Sequence, residues 1–419
     1  MASSRPSHPV SHRHSRRAAL VGAVSAAACF ALLATAPTGA AVPSRHAVPD
    51  GRTVRVVTAR VPIQGPSIER GARRDASLAA VPRSALTRPG TPVNTWTKQF
   101  TMPGAVVHDV DFPTGRIGYA AAELGQVWKT VNGGRTWTEV LNRGFPYYYY
   151  GVEALSAQKL VVSGFNNTTS QGIITWSTDG GATWSADQVL SPDAWVDRLR
   201  MPVGVRHGLA MNGLGSPGSN GPNVAWYADQ ADQWTQVTPD PNGGWFGSQF
   251  TLLPDRTAYA SGITYCSSTT TGATWACRGS IDSVFDGATE FVDDLHGWVG
   301  GGEISPEVAG WLHRTTDGGA TWSDRVLTTL WPIRQIEFLT PLVGWATGGN
   351  IYNGSGGIFY TSDGGQTWTQ DADTADEVGA CAHHTVAGGA KTRVWCIGDA
   401  YTGSFNSNVY RTTVATPAS

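Results

Sequence analysis

Short runs of small and β-branched residues alternate with Gly-, Asn- and Ser-rich stretches throughout residues 93–419. No long stretch of this region shows the 3.6-residue period of an amphipathic helix. Runs of this length and composition are typical of β-strands, because branched side chains pack well on a pleated surface. The pattern therefore predicts an all-β domain with little helix.

Seven tryptophans mark a fixed period in this pattern. They are separated by 41, 47, 50, 41, 47 and 46 residues, and they are Trp96, Trp137, Trp184, Trp234, Trp275, Trp322 and Trp368. Each period divides into four short strands, and the second and third recur most clearly, as at 160–164 and 173–177. Four-stranded units that repeat radially at this spacing form a β-propeller.

The two ends of the domain predict how the ring closes. The chain finishes with three strands of a unit, at 378–385, 393–398 and 409–412, and no motif tryptophan follows them. The run 95–100 matches the strand that follows each tryptophan, so it can complete the last unit and leave no free sheet edge. The sequence predicts a seven-bladed propeller of four-stranded antiparallel blades over residues 93–419.

Most of the tryptophans end an eight-residue motif: hydroxyl residue, any residue, Asp, Gly, Gly, any residue, Thr, Trp. Copies lie at 177–184, 315–322 and 361–368, with Asn132 replacing Asp at 130–137 and Thr270 replacing it at 268–275. This motif resembles the Asp-box, or BNR, repeat of sialidases and many other propellers, and the resemblance covers nearly all of 94–419. Within that class, the single-propeller size and the run 125–134 are most similar to the photosystem II assembly-factor family. The resemblance implies an assembly or stability role as one further alternative.

The motif residues are interpreted as scaffold rather than as catalytic or metal-binding groups. A short carboxylate accepts hydrogen bonds from nearby backbone N–H groups, the two glycines supply positive φ, and the tryptophan buries a large ring. Identical hairpins around a ring cannot all belong to one active site, and the resemblance implies that they lie on the face away from the ligand. The structural set comprises Asn132, Asp179, Asp317, Asp363, Trp137, Trp184, Trp322 and Trp368.

Four cysteines lie within the predicted domain, and an even number in an exported chain indicates two disulfides. Cys266 and Cys277 flank the degenerate motif copy on its third and fourth strands, and Cys381 and Cys396 fall on the first two strands of the last unit. We therefore predict the pairs 266–277 and 381–396. No CxxC pair or His–Cys cluster indicates a metal site, and neither a metal nor a cofactor is expected.

The first 92 residues have a different composition from the domain. Residues 1–41 carry four arginines, an apolar run at 18–36 and small residues at 39–41, which predicts a cleavable export signal. The run 15–20 partly matches a twin-arginine signal, so Sec and twin-arginine export both remain open. Residues 42–92 hold nine Arg and three acidic residues, net +6, and are interpreted as a basic linker or pro-segment. A secreted or envelope-associated protein with no membrane span after signal removal is expected.

The charge of the domain narrows the class of partner. Residues 93–419 hold 17 Lys and Arg against 29 Asp and Glu, so their net charge is 17 − 29 = −12. An acidic domain of this size argues against nucleic acid and against anionic membrane as partners. A glycan or an extracellular or envelope protein is the expected partner, and a monomer is the expected state.

The predicted binding surface is the loop face opposite the motif hairpins, because long polar loops on a rigid ring are where binding tends to reside. Aromatic rings on this face suit sugars, whose apolar faces they stack on, and they equally suit a protein surface. The candidate ligand-binding residues are Tyr148, Tyr149, Tyr150, Trp195, Trp245, Trp331, Arg334 and His108.

Catalysis is the alternative for the same face. A glycoside hydrolase needs two carboxylates about 5–10 Å apart, and the weak candidates are Glu303, Glu307, Asp286 and Glu123. The early Phe-Arg-Ile-Pro-type motif of sialidases does not occur in the sequence, arginines near this face are few, and residues 332–334 match that motif only loosely. Sialidase activity is therefore not expected. The sequence favours non-catalytic binding of a glycan or protein, with a glycoside hydrolase or lyase as the alternative.

Overall fold

The computed structural model describes residues 93–192, 195–202, 207–212, 225–230, 233–237, 246–262, 265–278, 281, 285–303, 309–350, 355–374, 376–386, 388–399 and 405–416. All the described residues lie within Leu78–Ser419. The predicted export signal and basic linker therefore lie outside the described residues. All regular secondary structure within the described ranges is β-strand, as the sequence pattern predicts.

Six four-stranded antiparallel sheets are each built from strands that are consecutive in the chain. The first two sheets contain β2 (Val107–Asp111), β3 (Gly118–Ala122), β4 (Gln126–Thr130) and β5 (Thr138–Asn142), then β6 (Tyr147–Glu153), β7 (Leu160–Asn166), β8 (Gln171–Ser177) and β9 (Gln188–Ser191). The next two contain β10 (Arg198–Arg200), β11 (Gly208–Met211), β12 (Ala225–Gln230) and β13 (Gln233–Val237), then β14 (Phe246–Leu252), β15 (Ala258–Gly262), β16 (Tyr265–Ser268) and β17 (Ala276–Arg278). The last two contain β18 (Phe285–Phe291), β19 (Gly297–Glu303), β20 (Ala309–Thr315) and β21 (Leu327–Thr329), then β22 (Ile333–Phe338), β23 (Gly344–Asn350), β24 (Ser355–Thr361) and β25 (Thr369–Thr374).

A further four-stranded sheet combines the two ends of the domain. It contains β1 (Thr97–Pro103), β26 (Glu377–Thr385), β27 (Lys391–Asp399) and β28 (Asn406–Ala415) in the order β1-β28-β27-β26. Strand β1 pairs antiparallel with β28, from Thr97 opposite Arg411 to Pro103 opposite Asn406. Counted as blades of four consecutive strands, the chain has six rather than the seven expected. The difference arises because this composite sheet takes its outer strand from the start of the domain. The molecule is an all-β propeller of four-stranded antiparallel blades.

The boundary between neighbouring sheets is filled by a recurring set of three aromatic rings. Phe112, after β2, stacks on Trp395 of the composite sheet with centroids 3.7 Å apart, and Trp137 meets it edge-on at 5.7 Å. The same set recurs as Phe338 with Trp298 at 3.4 Å and Trp368, and as Phe291 with Tyr259 at 3.7 Å and Trp322. In each set, two rings come from one sheet and the stacked ring comes from the sheet before it, so the core lies between sheets.

In the three sheets that contain Phe112, Phe291 and Phe338, a glycine at the start of the second strand makes this stacking possible. A Cβ atom built on Gly118 would lie 2.5 Å from the Phe112 ring, and one on Gly297 would lie 2.4 Å from the Phe291 ring. Real Cβ contacts are not this short, so any side chain here would displace the phenylalanine. The glycines that recur in the second-strand pattern are therefore packing positions.

The Asp-Gly-Gly motif forms the hairpin between the third and fourth strands. In the copy at 177–184, Asp179 accepts hydrogen bonds from the Thr183 backbone N–H at 2.8 Å and from the hydroxyls of Thr183 and Ser177. These bonds hold the pKa of Asp179 down at about 2. Gly180 and Gly181 take φ values of 74° and 92°, which disfavour other residues. Asp317 and Asp363 make the equivalent bonds.

The same hairpins also join one sheet to the next. In four copies the carbonyl of the first glycine accepts a hydrogen bond from the preceding sheet. The donors are Trp395 Nε1 to Gly133, Lys129 Nζ to Gly180, Tyr265 Oη to Gly318 and Trp298 Nε1 to Gly364, at 3.0, 2.7, 3.0 and 3.0 Å. The motif therefore fixes neighbouring sheets as well as its own turn, which the sequence did not indicate.

Both predicted disulfides are present. Cys266 on β16 is bonded to Cys277 on β17, where the two residues are directly paired across the strands. Cys381 on β26 is bonded to Cys396 on β27 in the same way. The second bridge braces the composite sheet, and the first spans the motif copy that has Thr270 in place of Asp.

The start of the domain is anchored by a single buried carboxylate. Asp371, on β25 of the neighbouring sheet, is 2% exposed and accepts four hydrogen bonds. Its donors are the backbone N–H groups of Val93 and Asn94, the Asn94 side-chain amide and Trp96 Nε1, at 2.7–2.9 Å. These bonds hold the segment that leads into β1 against a strand more than 270 residues away.

Replacing this carboxylate should loosen the N-terminal strand. We expect Asp371→Ala to lower the free energy of unfolding by about 2–4 kcal/mol, because four donors lose one buried acceptor. Urea unfolding and limited proteolysis measure the effect, with cleavage expected first near residues 93–100. Asp373→Ala is the matched control, because Asp373 is exposed on the same strand. Equal stability of the two variants would contradict the anchoring role.

Candidate functional site

Four rings from the first two sheets and the segment leading to the third form what we call the aromatic patch: His108, Tyr148, Tyr150 and Trp195. The Tyr150 ring lies 5.0 Å from His108, 5.5 Å from Trp195 and 6.4 Å from Tyr148, measured between centroids. Phe145, which is 61% exposed, extends the row at 6.5 Å from Tyr148. His108 and Tyr148 are the second residues of β2 and β6, Tyr150 lies two residues further along β6, and Trp195 precedes β10, so the four rings lie towards the starts of the first strands of their sheets. The structure thus brings four of the eight predicted ligand-binding residues together.

Strand alternation explains why Tyr149 is not part of the patch. The tyrosine run at 147–150 is expected in a loop, but these residues open strand β6. Successive side chains of a strand point to opposite faces, so Tyr148 and Tyr150 share one side and Tyr149 takes the other. Tyr149 is completely buried and packs with Tyr119, Val152 and Leu160. The prediction that Tyr149 binds a ligand is therefore wrong.

Carboxylates surround the histidine of the patch. His108 Nε2 lies 3.4 Å from Glu123 Oε1, and Asp399 and Asp197 also act on it electrostatically. Burial alone would lower the pKa of His108, but the adjacent Glu123 carboxylate, together with Asp399 and Asp197, outweighs it, so the pKa is raised. Glu123, proposed from the sequence as a catalytic carboxylate, is thus engaged with His108.

Asp399 reaches this site from the composite sheet. It accepts hydrogen bonds from the Val107 backbone N–H at 3.2 Å and from the Ser407 hydroxyl. Burial raises the pKa of Asp399 to about 7, against the opposing effects of His108 and Ser407. Its carboxyl group therefore titrates near neutral pH beside the aromatic patch.

The remaining predicted site residues either lie away from the aromatic patch or fall outside the described residues. Trp331 is half-buried and packs 6.4 Å from Phe359, in the core between the sheets of β18–β21 and β22–β25. Arg334 Nε forms an ion pair with Glu377 at 2.6 Å. Trp245 and Glu307, and the side chains of Asp286 and Glu303, lie outside the described residues. Three of the four proposed catalytic carboxylates therefore remain predictions.

The structure also contains a polar cavity that is not among the sites expected from the sequence. It has a volume of about 240 Å³ and is lined by residues from β2, β6, β10, β14, β18, β22 and β26. On one side, Arg200 Nη1 lies 3.0 Å from Glu153 and 3.5 Å from Asp109, and Arg198 Nη1 lies 2.8 Å from Asp109. We call these four residues the cavity ion cluster.

More carboxylates line the opposite side of the cavity. His383 Nδ1 lies 2.6 Å from Glu337, and Thr251 donates to Glu290 at 3.4 Å. Burial, followed by repulsion from Glu337, raises the pKa of Glu290 well above its ordinary value. Burial also raises the pKa of Glu153 to about 8 and that of Asp111 to about 6, although Arg200 opposes both shifts. The cavity can therefore take up and release protons near neutral pH.

A weak sequence signal for this cavity exists. Innermost strands carry polar residues at alternate positions, as in Asp109 and Asp111, Arg198 and Arg200, and Gln335 and Glu337. One face of these strands must point into the middle of the ring, where no neighbouring sheet covers it. Four of these six residues, Asp111, Arg200, Gln335 and Glu337, line the cavity, so polar alternation in first strands marks many of its lining positions.

A second, larger cleft lies at the outer edge of the molecule. It has a volume of about 860 Å³ and lies beside the 315–322 hairpin. Tyr265, Trp322, His313, Arg278 and Arg325 are among its lining residues, and the Arg325 guanidinium lies 4.1 Å from the centroid of the Trp311 ring. Within the described ranges, no group of three or more His, Cys, Asp or Glu side chains is arranged to hold a metal ion. The described part of the chain also has no helix long and apolar enough to span a membrane.

Comparisons with known proteins identify the fold of this chain. No protein-family model and no curated protein sequence matches this chain. The structure of YCF48 bound to D1 peptide has a TM-score of 0.55 at 15% identity, covering 77% of this chain and 98% of that chain. YCF48 from Cyanidioschyzon merolae has a TM-score of 0.51 at 15% identity, covering 76% and 98%. The WD40 propeller domain of Doa1 has a TM-score of 0.52 at 12% identity, covering 76% of this chain and 97% of that chain. At these identities the likeness shows the β-propeller fold alone.

The raised pKa of Glu153 predicts a pH dependence of stability. A carboxyl group whose pKa rises from 4.5 unfolded to about 8 folded keeps its proton in the folded state, so its contribution to stability is largest below pH 4.5 and decreases as the pH rises to about 8. We expect Glu153→Gln to remove this part of the fall, on the order of a few kcal/mol. Urea unfolding at pH 5, 6.5, 8 and 9 measures it, with the exposed Glu139→Gln as control. Parallel stability curves for wild type and Glu153→Gln would refute the prediction.

Proposed function

We propose that this protein is an exported propeller that binds a polypeptide segment of a partner protein on its aromatic patch, without catalysis. One observation carries the proposal: the first two sheets and the segment leading to the third bring four rings together, with the centroids of His108, Trp195 and Tyr148 each 5.0–6.4 Å from that of Tyr150. Clusters of aromatic side chains on an otherwise polar loop face are typical of binding sites. The two disulfides fit an oxidising compartment, which supports export.

The scaffold of this proposal is a ring of seven blades closed by β1. Two observations support the closure. The polar cavity is lined by the first strand of each of the six sheets that are built from consecutive strands, and by β26 of the composite sheet. The composite sheet also contacts both neighbours, through Trp395 Nε1 to Gly133 at 3.0 Å and through Thr347 Oγ1 to Val378 at 3.0 Å.

A peptide partner is preferred over a glycan for a specific reason. YCF48, which shares the fold, is known in a structure with D1 peptide, and a single extended segment can run along a row of rings such as Phe145, Tyr148, Tyr150 and Trp195. Glycan binding remains the second candidate, because rings beside carboxylates suit pyranoses. Hydrolysis of a bound glycan is the third candidate. Its candidate catalytic carboxylates are those of Asp286, Glu303 and Glu307, together with that of Glu123.

The aromatic patch should dominate partner binding. Purified protein is applied to an array of random 15-residue peptides and to a glycan array, and reducing-sugar release is measured from glycans that bind. We expect wild type to bind a set of peptides and the Tyr148→Ala/Trp195→Ala variant to bind them at least about tenfold more weakly, as for central aromatic anchors. Trp176→Ala is the matched control, because Trp176 is 37% exposed outside the patch.

Each outcome of this experiment assigns the function. Loss of peptide binding in the patch variant alone supports the proposal. Patch-dependent binding to glycans but not to peptides replaces it with the glycan alternative, and sugar release replaces it with the hydrolase. Equal peptide binding by all three proteins would place the partner surface elsewhere.

A further inference from the structure

Three arginines lie together at the boundary where the composite sheet meets the sheet of β2–β5. Arg393, on β27, donates a hydrogen bond from Nη1 to the Gly115 carbonyl in the turn between β2 and β3. Arg411, on β28, donates from Nη1 to the Gly133 carbonyl at 3.2 Å, and both Nη1 atoms lie within 4 Å of the point where a Cβ atom on Gly133 would stand. Arg135 follows two residues later in the same hairpin and is exposed. We call Arg135, Arg393 and Arg411 the seam arginines.

The seam arginines are not neutralised by their surroundings. Among the described residues, no carboxylate forms an ion pair with any of the three, and the ion pairs that the structure records for arginine involve other residues. Each guanidinium has five N–H donors, and within the described part of the chain Arg393 and Arg411 each use one of them. Burial, followed by repulsion from Arg135 and Arg393, lowers the pKa of Arg411. Positive charge and unused hydrogen-bond donors are thus concentrated at one place in a domain whose net charge is −12.

The hairpin at this boundary differs from the other motif copies at the two positions that set its charge. Asn132 stands where three other copies have Asp, and Arg135 stands where they have Ala or Gln, so this copy carries one positive charge and those three carry one negative charge. At the next boundary a cation is placed similarly, since Lys129 Nζ donates at 2.7 Å to a carbonyl of the following hairpin, but that hairpin carries the Asp179 carboxylate. Asn132 still accepts the hydrogen bond from the Thr136 backbone N–H, at 3.0 Å. The exchange of Asp for Asn therefore preserves the turn and removes the negative charge.

We propose that the seam arginines bind a phosphate or sulfate group of a ligand. Guanidinium groups stay charged at all physiological pH values and donate paired hydrogen bonds to the oxygens of such groups. A tetrahedral oxyanion offers several acceptor oxygens, which suits three cations that converge from a hairpin and two strands better than the two oxygens of one carboxylate. Gly115 follows the end of β2, whereas His108 of the aromatic patch lies at its start. The anion site is therefore separate from the aromatic patch and does not depend on the proposed function.

Equilibrium dialysis of the purified protein with radiolabelled inorganic phosphate, and separately with radiolabelled sulfate, measures this binding directly. We expect wild type to bind one anion per molecule, and acetate at the same ionic strength not to displace it. The Arg135→Gln/Arg393→Gln variant should bind at least about tenfold more weakly, because two charged donors are lost. Unchanged binding by this variant would place the anion elsewhere and overturn the inference.

A second variant tests the site without removing an arginine that holds the two sheets together. Asn132→Asp restores the carboxylate that three other folded hairpins carry, so the turn is kept while a negative charge is added beside the seam arginines. We expect it to weaken phosphate binding at least about fivefold through repulsion. Thr270→Asp is the matched control, because Thr270 occupies the equivalent position of the hairpin at 268–275 and already accepts from the Thr274 backbone N–H at 2.9 Å. Equal loss of binding in both variants would mean that net charge, not the seam, governs binding, and would overturn the inference.

Vesicles distinguish a soluble ligand from a lipid headgroup as the source of the phosphate. The protein is sedimented with phosphatidylcholine vesicles that contain or lack phosphatidylglycerol. Cosedimentation with the anionic vesicles that Asn132→Asp weakens and Thr270→Asp does not would assign the phosphate to a lipid headgroup. Binding of free phosphate or sulfate without cosedimentation would assign it to a soluble ligand. Failure of wild type to bind phosphate, sulfate and anionic vesicles would overturn the inference and leave peptide binding by the aromatic patch unaffected.

Discussion

Stacking of one buried ring on another across sheet boundaries, seen at three of them, is the interaction on which this fold depends. A single four-stranded sheet has two apolar faces and cannot bury them alone, so each sheet needs its neighbours. Phe112 against Trp395, Phe291 against Tyr259 and Phe338 against Trp298 fill three of these boundaries at 3.4–3.7 Å. The motif tryptophan meets the same phenylalanine edge-on, and the first glycine of the motif accepts a hydrogen bond from the sheet before it. One short motif thus forms the hairpin of its own sheet, packs its tryptophan at the sheet boundary and holds the preceding sheet by a hydrogen bond.

Much of this architecture follows from local sequence. The second and third strands lie within three residues of their predicted positions, and both disulfides pair as expected, because strand order and the Trp period constrain them strongly. The beginning of β6 was misplaced for a physical reason. Four successive tyrosines look like a polar loop cluster, but tyrosine has a high strand propensity, and pleating then buries Tyr149 while leaving Tyr148 and Tyr150 on the other side.

The aromatic patch could be predicted only in part. His108, Tyr148, Tyr150 and Trp195 were chosen because each stands near the start of an innermost strand, which topology places on the loop face. Trp331 satisfies the same rule but turns into the core beside Phe359. The cavity ion cluster was missed because its members are spread over 91 residues, from Asp109 to Arg200, and their pairing depends on three-dimensional placement. The local sequence pattern shows which side chains share one face of a strand. Ion pairs between different sheets, such as those of the cavity ion cluster, depend on how the sheets are arranged in the folded protein.

The pairing of β1 with β28 has a consequence for the order of folding. During synthesis, β1 emerges before the other described strands and its partner β28 after them, with Thr97 and Arg411 separated by 314 residues. Closing so long a loop carries a large entropic cost that only the completed pairing repays. Until then β1 is an unpaired strand edge, the kind of surface that recruits other chains. The period between the emergence of β1 and of β28 is therefore when this protein is most exposed to misassembly, and a folding helper that covers residues 97–103 would act in that interval.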